Sequence, residues 1–95
     1  MDRWQAMRIF VGVAETGSFA ETARRLRISA PAVTRSVSAL EELVGARLFV
    51  RTTRAVKLTD TGVRYLADCR RILSDIAEAE AAAAGSYAKP TGMLS

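Results

Sequence analysis

One short stretch carries side chains whose order suits contact with a polyanion. Ala30, Pro31, Thr34, Arg35 and Ser38 share one face of a predicted helix, opposite an apolar stripe of Val33, Val37, Leu40 and Val44. The hydroxyls of Thr34 and Ser38 donate and accept, the methyls of Ala30 and Thr34 suit a thymine methyl, and Arg35 suits a guanine edge or a phosphate. Glu41 and Glu42 lie further along. Two carboxylates are repelled by phosphates, so only the first two turns, Ala30 to Ser38, are expected to approach such a partner. A second basic feature follows. Arg51 and Arg54 stand in the tip Arg51-Thr52-Thr53-Arg54-Ala55 between two brief apolar runs, Leu48-Phe49-Val50 and Val56-Lys57-Leu58. Two guanidinium groups on a narrow ribbon suit the enhanced negative potential of a minor groove. An ordinary amphipathic helix and a solvated turn remain the plain alternatives.

Charge and composition narrow the classes. Residues 1–59 carry ten Lys or Arg against five Asp or Glu, and nine of the ten are Arg; residues 60–95 carry four against five. A basic body is thus joined to a nearly neutral extension. The 95 residues contain no His and one cysteine, Cys69. No internal disulfide, no metal site of the usual ligand sets and no cofactor is expected. Neither a paired nucleophile and base nor a glycine-rich phosphate loop is present, so the chain is not expected to be an enzyme. No apolar run is long enough to span a bilayer, and Met1-Asp2-Arg3-Trp4 lacks a signal-peptide layout. A cytoplasmic home and no membrane partner are expected.

The elements that must position these residues are mostly helical. Trp4 to about Glu15 predicts a first helix with two apolar stripes, Trp4, Met7, Phe10, Val11 and Ala14, and Ala6, Ile9 and Val13. One stripe serves the core and the other needs a neighbouring helix or another chain. Gly17 suits a left-handed cap. Ser18 and Glu21 form a capping-box pattern for a short second helix ending near Leu26. Ser29 caps a third, with Pro31 in its first turn and Gly45 at its end. Two short helices joined by a three-residue turn give a helix-turn-helix over 19–38, and the hairpin over 48–58 gives a wing. The fold class is therefore mainly α: a winged helix-turn-helix of three helices and a two-stranded β-hairpin over 1–59, then a long linker or dimerisation helix over 60–85. In that helix Leu66, Cys69, Leu73 and Ile76 keep the 3-4 spacing of a seam. Gly85-Ser86 is expected to break it, leaving 86–95 as a hinge.

The stretch Phe10 to Gly62 resembles the N-terminal domain of LysR-type transcriptional regulators. The matching residues are Phe10, Glu15-Thr16-Gly17-Ser18-Phe19, Ala23-Arg24-Arg25-Leu26, Ser29 to Arg35, Leu40-Glu41, Gly45 to Arg51, Leu58-Thr59 and Gly62. The resemblance implies sequence-specific binding of double-stranded DNA by a homodimer on an interrupted palindrome. It assigns contacts to Ser29, Pro31, Thr34 and Arg35 in the recognition region and to Arg51, Thr53 and Arg54 in the wing. It also implies that linker helices pair and pack on the partner's first helix, giving Ala6, Ile9 and Val13 an interface role. Ala30 departs from the Gln or Pro common at its position, which removes an amide readout there. Family members continue into an effector domain where this chain stops, so a DNA-reading fragment without a small-molecule effector is expected. The alternative is a winged-helix module that dimerises and offers its basic face to a protein.

Overall fold

The computed structural model describes residues 2–88, with side chains from residue 2 to residue 85. Within it α1 (Arg3–Thr16), α2 (Phe19–Leu26) and α3 (Ala30–Val44) precede a hairpin of β1 (Phe49–Arg51) and β2 (Val56–Leu58), and α4 (Asp60–Ala88) closes the order. This is a winged helix-turn-helix with a long helix after it.

Local chemistry sets the boundaries. Asp2 caps α1, accepting from the Gln5 N–H, and Gly17 ends it at φ 71°. Ser18 Oγ accepts from the Glu21 N–H at 3.0 Å. The reciprocal half of the expected capping box is absent. Glu21 turns instead to Arg24 and Arg25, and the Ser18 N–H donates to Thr16 Oγ1 at 3.1 Å. Arg27 ends α2 in the left-handed region at φ 60°, where a side chain costs about 1 kcal/mol or more. The turn it makes lets the Ile28 N–H reach back to the Ala23 carbonyl at 3.0 Å. Ser29 then accepts from the Ala32 N–H and starts α3.

The core lies where α1, α2 and α3 meet the root of the hairpin and the start of α4. Phe10 is its hub, with ring centroids 5.3 Å from both Phe49 and Tyr65. Phe19 reaches Phe49 edge-on at 6.0 Å. Three expectations change here. Ala6, Ile9 and Val13 are buried with Phe10 inside this chain, so they have no surface to offer a partner. The outward residues of α1 are Trp4, 43 % exposed, and the half-buried Met7, Val11 and Ala14. Spacing reveals two stripes; which one faces inward depends on where α3 and α4 lie, since both pack on α1. Cys69 is likewise fully buried, against α1 rather than in an outward seam. Burial, then the adjacent thiol of Cys69, pushes the Tyr65 phenol up to about 12, and burial raises the Cys69 thiol too. Both stay protonated near neutrality. Val44 leaves the expected core stripe and is 39 % exposed, since the last turn of α3 passes the edge of the body.

The long helix also outruns its predicted end. α4 continues through Gly85 and Ser86 to Ala88. A single helical glycine costs only about 1 kcal/mol, which good helix formers such as the four preceding alanines offset. The rest of the expected hinge, 89–95, lies outside the described residues. From residue 74 to residue 84 only Ile76 is half-buried, so this half of α4 projects and the molecule extends 56 × 26 × 23 Å.

Gly62 shows how closely α4 meets the hairpin root. A Cβ there would lie 2.2 Å from the Leu48 carbonyl oxygen. Backbone cannot yield as a flexible side chain does. Gly62→Ala is therefore expected to lower stability by about 1–3 kcal/mol, the usual cost of overpacking, read as a fall in the thermal midpoint. Gly85→Ala, with nothing within 4 Å, should leave the midpoint unchanged or raise it.

Candidate nucleic-acid interface

The predicted contact residues emerge on one side of the body. Ser29, Ala30, Pro31, Arg35 and Ser38 are exposed along α3, and Thr34 is half-buried among them. Local bonds fix some of their polar groups. Ser29 Oγ is occupied as an acceptor by the Ala32 N–H at 3.1 Å, which leaves its hydroxyl proton for an outside oxygen. Thr34 Oγ1 donates to the Ala30 carbonyl at 3.3 Å, so its oxygen remains an acceptor. Arg35 and Ser38 have no side-chain partner among the described residues, and Arg35 is the cation of α3 that stands ready for a phosphate or base edge.

The hairpin is built to hold its tip. Phe49 pairs with Leu58, Val50 with Lys57 and Arg51 with Val56. Thr52 closes the turn: its Oγ1 accepts from the N–H groups of Arg54 and Ala55 at 3.3 and 3.0 Å, and its own N–H donates to the Ala55 carbonyl at 2.8 Å. Thr53 and Arg54 are thereby presented at the tip, both exposed. Arg51 sits apart from them. Its guanidinium lies 4.4 Å from the ring centre of Phe19 on α2, so the last residue of β1 turns back toward the body and away from the tip. Stacking of this kind contributes about 0.5–1 kcal/mol at exposed sites, and it aims the charge into the cleft between α3 and the hairpin.

That cleft is lined by Thr34, Arg35, Ser38, Arg47 and Arg51 together with Glu41 and Glu42. Glu41 corrects an expectation. It does not project as a repelling charge: its side chain is 12 % exposed, its Oε2 accepts from the N–H groups of Leu48 and Phe49 at 2.8 and 3.3 Å, and Arg47 Nε stands 3.6 Å away. Glu42 alone remains as an outward carboxylate on that turn. Arg47 was not singled out from the sequence, because nothing in its type or spacing separates it from other surface arginines. The inward turn of Glu41 had one faint signal: it follows Leu40 at the border of the apolar stripe. The surface arginines of α2 are also less available than their number suggests, since Arg24 and Arg25 both pair with Glu21.

Residues 4–63 match the family model described as bacterial regulatory helix-turn-helix protein, lysR family. The chain belongs to that family. The HTH-type transcriptional regulator YnfL of Escherichia coli (strain K12) is 44 % identical over 88 residues, which is 93 % of this chain and 30 % of that protein. The regulator CrgA of Neisseria meningitidis serogroup B (strain ATCC BAA-335 / MC58) is 40 % identical over 91 residues, 96 % of this chain and 30 % of CrgA. The chain thus spans about a third of the length of these relatives. Among solved structures, the DNA-binding domain of CbnR in complex with DNA superposes with a TM-score of 0.83 at 34 % identity, covering 88 % of this chain and 97 % of that one. The DNA-binding domain of BenM in complex with its catB site 1 DNA gives 0.82 at 31 % identity, covering 84 % and 90 %.

Proposed function

We propose that this chain reads double-stranded DNA by sequence, with the first two turns of α3 in the major groove and the hairpin against an adjacent minor groove. One observation carries the reading: the exposed polar face of Ser29 to Ser38 stands beside a hairpin with Arg54 at its tip, in a unit whose CbnR and BenM counterparts are seen on DNA. In this reading Thr34, Arg35 and Ser38 meet base edges, with Ala30 offering a methyl-sized surface. Ser29, Pro31, Arg51, Thr53 and Arg54 hold the backbone and the minor groove. Arg47, exposed beside Glu41 on the rim of the cleft, joins them. The work is binding alone, without catalysis or cofactor, and belongs in the cytoplasm beside the chromosome. Among the described residues no helix is long and apolar enough to cross a membrane.

The active unit is a homodimer on an interrupted palindrome. α4 supplies the apolar surface for it: Ile72 is exposed and Leu66, Leu73 and Ile76 are half-buried along the helix. Val11 of α1 and Leu73 of α4 line one hollow, which extends that surface onto α1. Ala6, Ile9, Val13 and Cys69 support it from beneath as core, without meeting the partner.

Three outcomes check this reading. Selection of sites from random duplex DNA should recover a two-part motif, and affinity for the winner should fall roughly 10³-fold or more between 50 and 200 mM salt if six or more phosphates are contacted. A flat salt profile, equal for selected and random DNA, would instead favour a protein partner for the basic face. Thr34→Ala should change which central base pairs are preferred, whereas Arg54→Ala should weaken binding about evenly across sites that share an A·T-rich flank. Indistinguishable losses on every sequence would refute that division. Leu73→Asp should sediment as a monomer with its helical content retained, and a persistent dimer would remove α4 from the interface.

A further inference from the structure

We propose that Glu41 is a positioning residue that locks the wing to the reading helix, so that base pairs met by α3 and the flank met by the wing keep a fixed spacing. This rests on the DNA-binding reading above. The ground is how much of the connecting turn one residue holds. The Glu41 backbone carbonyl accepts from the N–H groups of Gly45 and Ala46 at 2.8 and 3.2 Å. Its carboxylate accepts from those of Leu48 and Phe49 at 2.8 and 3.3 Å. Three amides of the link between α3 and β1, and the first amide of β1 itself, thus end on Glu41. The carboxylate is nearly buried and both amide bonds converge on one oxygen, with Arg47 alongside. An oxygen at this reach accepts both bonds and fixes their direction, which a neutral acceptor of the same length also does. Leu48 and Phe49 are themselves buried, so no water readily replaces the carboxylate there. The wing therefore leaves α3 at one angle, set by the reach of a glutamate side chain.

Reach and charge can be separated by substitution. Glu41→Gln keeps an oxygen acceptor at the same reach and removes the charge. Glu41→Asp keeps the charge and draws it one methylene short of the two amides. Each variant and the parent chain would be taken through site selection from a random duplex pool, with melting curves and hydrogen exchange of the Leu48 and Phe49 amides. The expected result is that Gln preserves the flanking preference, its spacing from the centre and amide protection, with affinity within about twofold of the parent. Asp should keep the central preference, scatter the flanking one, lose about tenfold in affinity and exchange both amides faster. A folded Asp variant with the parent's flanking preference and protection would overturn the proposal, as would parallel loss of central and flanking preference in both variants. If Asp does not fold, Gln decides: flanking preference kept supports the acceptor role, and flanking preference scattered in a folded Gln variant overturns it. A parent chain that recovers no motif would sink the DNA-binding reading itself, while the exchange measurements still report whether Glu41 ties the wing.

Discussion

The backbone at Leu48 and Phe49 is the junction on which the arrangement depends. Glu41 takes their N–H groups from the side of α3. On the other side the Leu48 carbonyl accepts from the Thr59 N–H at 3.0 Å, and Thr59 Oγ1 donates to the Arg47 carbonyl at 2.7 Å. The same hydroxyl accepts from the Gly62 N–H at 2.9 Å and so caps α4. The Leu48 and Phe49 side chains meanwhile fill the core. Helix, hairpin and long helix therefore share one hydrogen-bonded knot. Buried backbone groups demand partners, and here the demand falls on three elements at once, so none of them can shift alone.

A reading head needs that rigidity. Grooves of a duplex lie at fixed offsets, and a helix in one and a ribbon in the next must match them before binding if ordering costs are to stay low. The knot fixes where the wing begins, the Thr52 turn fixes where its tip points, and Arg51 on Phe19 ties the far end of β1 to α2. Charge is arranged to agree with this geometry. Two of the carboxylates nearest the cationic surface are turned to internal duty, Glu21 between Arg24 and Arg25 and Glu41 on the wing root. Arg35 and Arg54 are exposed without an ion pair among the described residues, Arg51 stacks on Phe19 and Arg47 stays beside Glu41, and on α3 the outward carboxylate that opposes them is Glu42.

Much of this was legible from the residues. Caps at Ser18, Ser29, Gly17 and Gly45, and the apolar pattern of α3, are local signals with local causes, and the helix-turn-helix and hairpin follow from them. The polar face of α3 was legible for the same reason: a 3.6-residue period that buries Val33, Val37 and Leu40 must turn Arg35 and Ser38 outward, with Thr34 half-buried beside them. The failures share another cause. Which stripe of α1 faces inward, whether Cys69 looks in or out, and where the Glu41 carboxylate goes depend on partners distant in sequence. Ala6, Ile9 and Val13 looked spare only because α3 and α4 were not yet placed over them. Glu41 looked repulsive only because the amides of Leu48 and Phe49 carry no mark in a sequence.

The inward placement of those small residues also changes what can join two chains. With Ala6, Ile9, Val13 and Cys69 all buried in one core cluster and Phe10 of α1 against Tyr65 of α4, the head and the base of the long helix form one body, reinforced by Arg70 on Glu15 at 3.3 Å. A partner cannot enter between them. In the proposed dimer it would meet the flank where Val11 and Leu73 line one hollow and the helical stretch beyond it, where among the described residues from 74 to 84 only Ile76 is half-buried. The projecting half of α4 is then a lever whose base is welded to the core. Gly62 lets that base press on the Leu48 carbonyl, so in the proposed dimer the angle between two paired long helices would set the angle between the two heads. In the proposed dimer, the spacing of half-sites on DNA would then depend on the same backbone contact that fixes the wing.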